Sequence, residues 1–305
     1  MKKFALMLLV LLLLPLLAAC GEDDPLEITT TEPATEAEIT TGKNILGEAE
    51  LRALLEAEIS RQILDFAYDD YDGDGVYEAF AFVGEELDEE EGTYLGEVWF
   101  VSAKGAQKQA DERDYWGLIS VYAFGKSKFA VLNQYATTGG YVSVWGVHGG
   151  KPRQESVSGA GGGFTQLDDS NFTLWHSTYD MMFDAEFGTG IGHTWKNYWF
   201  FWDGQRFHEY GGVPLAEAEL RKLGGAAEVL GGIEGAIGDI FYRGTNGIIN
   251  VNYTVTQGEG DVSNYYVTLQ LKDGKVTVLE EDSGVYQAAL APDIAVYPKT
   301  PVKFR

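Results

Sequence analysis

A mainly β architecture is predicted for most of this 305-residue chain, and three observations predict it. Beyond about residue 62 the apolar residues alternate with period two, and turn signals recur roughly every 8–12 residues. Four apolar runs end in tight glycine turns followed by short polar strands: Val98–Lys104-Gly105, Val144–Gly149-Gly150, Trp199–Asp203-Gly204 and Leu269–Asp273-Gly274. Each reads as a β-hairpin. The clearest unit comprises Leu118–Ala123, Lys128–Tyr135, Tyr141–Val147 and Lys151–Ser156, four strands in about 40 residues, the size of a propeller blade. The expected fold is a propeller-like array of about four antiparallel four-stranded units, with a β-sandwich or open barrel as the alternative.

The N-terminus has a different logic. Lys2 and Lys3 precede an apolar run from Phe4 to Leu17, too short to span a membrane comfortably and of the length of a signal-peptide hydrophobic region. Residues 1–19 are therefore expected to be a signal peptide. Leu17-Ala18-Ala19-Cys20 resembles the lipobox of bacterial lipoproteins, which implies lipid attachment at Cys20 and a membrane-anchored, extracytoplasmic protein. Cys20 is the sole cysteine, so no disulfide forms within the chain. Residues 20–44, rich in Thr, Glu, Pro and Ala, cannot bury enough apolar surface to offset ordering and read as a disordered tether spanning on the order of 25–30 Å.

Residues 45–305 form the expected β-rich domain. It opens with a helix, since Leu51, Leu54, Leu55 and Ile59 recur at helical spacing within Gly47–Arg61. Residues 214–235 read as a short helical insertion between the third and fourth units. Loss of residues 1–19 removes two lysines and takes the formal net charge from -25 to -27. That balance argues against nucleic acid and anionic lipid as direct partners and favours cationic ligands.

The most informative run is Asp70-Tyr71-Asp72-Gly73-Asp74-Gly75-Val76-Tyr77-Glu78. Asp70, Asp72 and Asp74 stand at positions one, three and five of a loop, Gly75 turns it at six, the Val76 carbonyl falls at seven and Glu78 at nine. Such a loop offers the six to eight oxygens that Ca²⁺ takes. Three aspartates two apart also repel one another without a cation. Ala81 occupies the twelfth position, where an EF-hand needs a bidentate Glu. The flanks read as strands, with Tyr77, Ala79 and Ala81 on one face and Glu78, Phe80 and Phe82 on the other. The pattern resembles the calcium loops of FG-GAP and VCBS-type repeats, found in integrin alpha-subunit propellers and bacterial exported proteins. The resemblance covers some 20 residues and implies a metal held between two strands, with Glu78 as the ninth-position acid. Asp65 and Asp69 fall outside the spacing, and Glu85–Glu91 reads as a solvated acidic loop.

Signals for catalysis are sparse. His148, His176, His193 and His208 form no HExxH and no close pair, and there is no G-x-S-x-G elbow. Gly188–Gly192 lacks the strand–helix setting of a phosphate cradle, and Asp180 and Asp184 near His176 are read as a polar loop. The run Trp195–Trp202 is apolar on both faces, as in a central strand, while Tyr115, Trp116 and Tyr141 are the alternative aromatic contacts for a sugar. The expectation is a binding module for a carbohydrate or protein ligand. The alternative is a cell-surface enzyme or accessory protein acting on polysaccharide or peptidoglycan.

Overall fold

The computed structural model describes residues 45–136, 139–184, 188–244, 246–258, 261–290 and 302–304. The expected signal peptide, Cys20 and the tether lie outside the described residues. Helix α1 (Glu48–Glu56) begins where the Glu50 carboxylate accepts the Gly47 N–H at 2.7 Å, and Glu48 and Glu50 in its first turn complement the helix dipole. Leu51 and Leu55 are fully buried. The helix stops short of the expected Arg61. Ile59 reaches the same apolar cluster from the connecting loop instead, so helical spacing there marks burial without helix.

The first sheet is an antiparallel meander of seven strands: β1 (Gln62–Asp69), β2 (Glu78–Asp88), β3 (Thr93–Ser102), β4 (Gly105–Phe124), β5 (Ser127–Ala136), β6 (Gly139–Val147) and β7 (Pro152–Gln154). Strand β2 is buried on both faces, as its alternation predicts. Ala79, Ala81 and Val83 pack with Leu51 and Leu55 of α1. Phe80 and Phe82 turn the other way, into a cluster with Tyr71, Phe100, Tyr115 and Trp145. The pairing of β4 breaks register between Trp116 and Ser120. Within that irregularity the Ile119 N–H reaches the Asp65 carboxylate at 3.0 Å, which ties β4 to β1 and curls the sheet around this cluster.

The second sheet has the order β11 (Phe207–Glu209), β10 (Gly188–Trp202), β9 (Asn171–Asp184), β8 (Gly162–Gln166), with β17 (Val285–Tyr286) parallel to β10. The third comprises β12 (Val213–Pro214), β13 (Ala236–Arg243), β14 (Ile248–Gln257), β15 (Asp261–Lys272) and β16 (Lys275–Ser283). Helices α2 (Glu217–Leu220) and α3 (Ala226–Gly232) fall in the expected insertion. Their Leu220, Ala226 and Leu230 cover Ile240, Val251 and Leu269 of the third sheet.

Strand β10 shows how the sheets stack. Tyr198, Phe200 and Trp202 join Phe124, Phe129 and Val131 of the first sheet, while Trp199 turns to Ile248, Tyr266 and Tyr286. The aromatic run is thus a core strand over Tyr198–Trp202, as its two apolar faces imply. Its first residue differs, for Trp195 is 51 % exposed.

All four predicted hairpins are present, closing at Ser102–Gly105, Val147–Pro152, Trp202–Phe207 and Lys272–Lys275. The arrangement of about four four-stranded units is not what they build. The described strands make three open sheets of seven, five and five strands, and no propeller closure is shown. The first two expected units are fused because the polar stretch Gln107–Asp114 between them is strand. It pairs with β3 and turns its charged side chains to solvent.

Candidate metal centre

The loop between β1 and β2 is wound around a buried aromatic ring. Tyr71, between Asp70 and Asp72, is fully buried and meets Phe80 edge-on at 5.0 Å. Its hydroxyl donates to the Ala67 carbonyl at 3.0 Å, and its own carbonyl accepts the Lys128 N–H at 2.8 Å. With Tyr71 pinned inward, the flanking aspartates turn toward the loop. Gly73 (φ +70°) and Gly75 (φ +83°) supply the left-handed backbone that the tight turn needs. A Cβ at Gly73 would lie 3.1 Å from the Lys126 carbonyl oxygen, whereas one at Gly75 meets nothing within 4 Å. Gly73→Ala is expected to cost about 1–2 kcal/mol, read as a lower melting temperature in chelator and in calcium alike.

Hydrogen bonds hold the acids in place. Asp70 accepts the Asp74 and Gly75 N–H groups, both at 3.0 Å, and Asp74 accepts that of Val76 at 2.7 Å. Asp72 accepts the N–H of Gly150, from the β6–β7 turn, through one oxygen at 3.2 Å. Its other oxygen is buried without a partner. Glu78 opens β2 on the buried face and is only 2 % exposed. The Tyr71 N–H donates to its carboxylate, while Oε2 is buried with no partner. Burial pushes the Glu78 carboxyl up to about 7, and the charges of Asp72, Asp74 and Asp70 add to the shift.

Two orphaned buried oxygens beside a carboxylate cluster are costly unless a cation satisfies them. One oxygen from each of Asp70, Asp72 and Asp74 lies within 4.8 Å of the others. Oxygens on opposite sides of one Ca²⁺ ion stand roughly 4.6–5.2 Å apart, so the cluster has the dimensions to hold a single ion. The all-oxygen donor set suits a hard cation, and Val76 stands half-buried beside Asp74 and Glu78 at the mouth of a cleft of about 320 Å³. Lys104 and Gly150 close its other side. Among the described residues this is the one group of three or more acids, histidines or cysteines close enough to share an ion. The chain matches no protein-family profile, and no curated protein matches it.

The two acids outside the spacing are otherwise engaged. Asp69 pairs with Lys128 at 2.5 Å, and Asp65 accepts the N–H groups of Ile119 and Phe66. Residues Glu85–Glu91 are exposed throughout. His148 meets the buried Glu155 at 2.6 Å, which also takes Arg153, so this cluster is internally paired. His208 bonds Asp203 across the β10–β11 turn at 2.7 Å. Backbone N–H donors of that turn and His208 hold the Asp203 carboxyl down at about 2. The backbone of Gly188–Gly192 is strand, paired with Asp180–Asp184 of β9, so the expected polar loop is a strand there. The side chains of Asp180, Asp184 and His193 lie outside the described residues. Tyr115 is fully buried in the first sheet, which removes it as a sugar contact, while Tyr141 is exposed.

Nothing in the sequence set the Gly149–Gly150 and Lys126–Lys128 turns against the loop they clamp. They lie some 50–80 residues away in the chain, and only the curl of the first sheet delivers them.

Proposed function

We propose that the chain is an extracytoplasmic, membrane-anchored lipoprotein whose β domain is a calcium-stabilised binding module. The buried, unpartnered oxygens of Asp72 and Glu78 beside Asp70 and Asp74 carry the metal part of this reading. Bound calcium would neutralise the cluster and cross-link the β1–β2 loop to the start of β2. Through Asp72 it would also stiffen the β6–β7 turn. Its role is structural, because the loop caps one end of the first sheet and the acids are positioned by backbone N–H groups. The anchor rests on the lipobox-like Leu17–Cys20. More than one acyl chain on that residue would exceed the single chain that gives only reversible membrane binding.

Calorimetric titration of the full chain with calcium tests the metal. One site per chain is expected, absent in Asp72→Ala and Asp74→Ala. A titration with no heat at millimolar calcium, or one unchanged in both variants, sinks the assignment. The anchor has its own test in cell fractionation. Wild-type protein is expected in the membrane fraction and Cys20→Ser in the soluble one, and equal distribution of the two overturns lipidation.

A further inference from the structure

Where the second and third sheets part, the face of β10 that carries the buried Trp199 continues outward through Asn197 to Trp195. Asn197 pairs across the ladder with Trp175 of β9, so two indoles and an amide share this face. The opposite wall comes from the third sheet, with Tyr266 of β15 and Glu280 and Asp282 of β16. Together they line a cleft of about 360 Å³. A second cleft of about 370 Å³ adjoins it, lined by Val262, Asn264 and Gly284 and sharing Trp195 and Ser283 with the first. The exposed indole of Trp195 therefore borders both clefts.

Trp175 is a prepared surface. A Cβ on Gly163 (φ +60°) would come 1.8 Å from its Nε1, and one on Gly162 would come 3.1 Å from its ring. Only a glycine strip lets the backbone of β8 lie flat under this indole, which leaves the ring rigid at the rim. Glu280 is held from behind by the Tyr286 hydroxyl at 3.2 Å, and Asp282 by the Ser283 N–H at 2.7 Å.

The groove's chemistry selects its occupant. Among the described residues lining both clefts there is no Lys, Arg or His, and two carboxylates face in, so uronic acids, sulfated sugars and phosphates are excluded by charge. Rigid aromatic rings interleaved with carboxylate, amide and hydroxyl groups suit a ligand with apolar ring faces and hydroxyl edges. We infer that this groove binds a neutral oligosaccharide, with consecutive sugar rings seated on Trp175 and Trp195 and their hydroxyls donating to Glu280, Asp282 and Asn197. This names the ligand class for the binding role proposed above and rests on that role. It uses none of the metal-loop residues.

The test is calorimetry and tryptophan fluorescence of the purified full chain against cellotetraose, xylotetraose, mannotetraose and chitotetraose, with tetragalacturonate and choline as charged comparators. Binding of at least one neutral tetrasaccharide is expected, weakened at least roughly tenfold by Trp195→Ala and by Asp282→Asn and unchanged by Leu118→Ala at an exposed position of the first sheet. Trp195 and Asp282 are exposed, so both variants are expected to keep the wild-type melting temperature. No neutral sugar bound at 10 mM, binding indifferent to Trp195→Ala, or preference for choline or tetragalacturonate each overturns the assignment. Calcium binding lost in Asp72→Ala while sugar binding persists is the expected pattern, so failure of either reading is seen separately.

Discussion

Calcium is expected to raise the melting temperature of the full chain by roughly 5–10 °C over the same protein in chelator. At a hundredfold excess over the dissociation constant, a ligand that binds only the folded state contributes about 2.7 kcal/mol. For a domain of this size each kcal/mol moves the midpoint by about 2–4 °C. The variants sharpen the result. Asp72→Ala removes a buried oxygen that has no partner and relieves repulsion with Asp70, Asp74 and Glu78. It is therefore expected to match or exceed wild type in chelator, and to fall below it in calcium. A variant that is destabilised equally in both solutions would point to a merely structural hydrogen bond with Gly150. A calcium shift that survives Asp72→Ala places the ion elsewhere.

Acidification from pH 8 to pH 5.5 is expected to stabilise the metal-free protein, against the usual trend for so acidic a chain. The Glu78 carboxyl is raised to about 7 in the folded state, above its ordinary value near 4.5. The folded protein thus binds a proton that the unfolded chain does not, and the group's contribution grows as pH falls below 7, complete only below 4.5. Over this interval the gain is at most about 2 kcal/mol. Glu78→Gln should flatten the profile and stabilise the protein in chelator at pH 8, while costing calcium affinity. In calcium the dependence reverses, because proton and metal compete for the same carboxylate. If the chelator profiles of wild type and Glu78→Gln superimpose, Glu78 is not the buried carboxylate that its position implies.

The two predictions trace back to different kinds of information. Local chemistry settled much of the fold by itself. Period-two alternation and glycine turns located all four hairpins. The paired faces of β2 separated Ala79 and Ala81 from Phe80 and Phe82, and the Asp-x-Asp-x-Asp-Gly spacing picked out the acids that converge. These are near-neighbour effects, in which side-chain direction follows from backbone period and turn geometry follows from glycine. Asp65 and Asp69, set apart by spacing alone, each meet a partner on another strand.

Long-range matters were decided only in three dimensions. Whether strands form four units or three sheets depends on which edges pair, and the charged face of β4 hides its role as the strand that joins β3 to β5. Burial of Glu78 arises because the sheet curls and brings the turns at Lys126 and Gly150 over the loop, so its proton affinity is a property of the assembled domain. Trp195 and Trp199 sit on one strand face four residues apart and look alike in sequence. The third sheet packs directly on Trp199 but is separated from Trp195 by a cleft, leaving one as core and the other as an exposed surface beside two carboxylates. Composition and period determine what each residue tends to bury. Only packing between distant strands determines which of those residues is left uncovered.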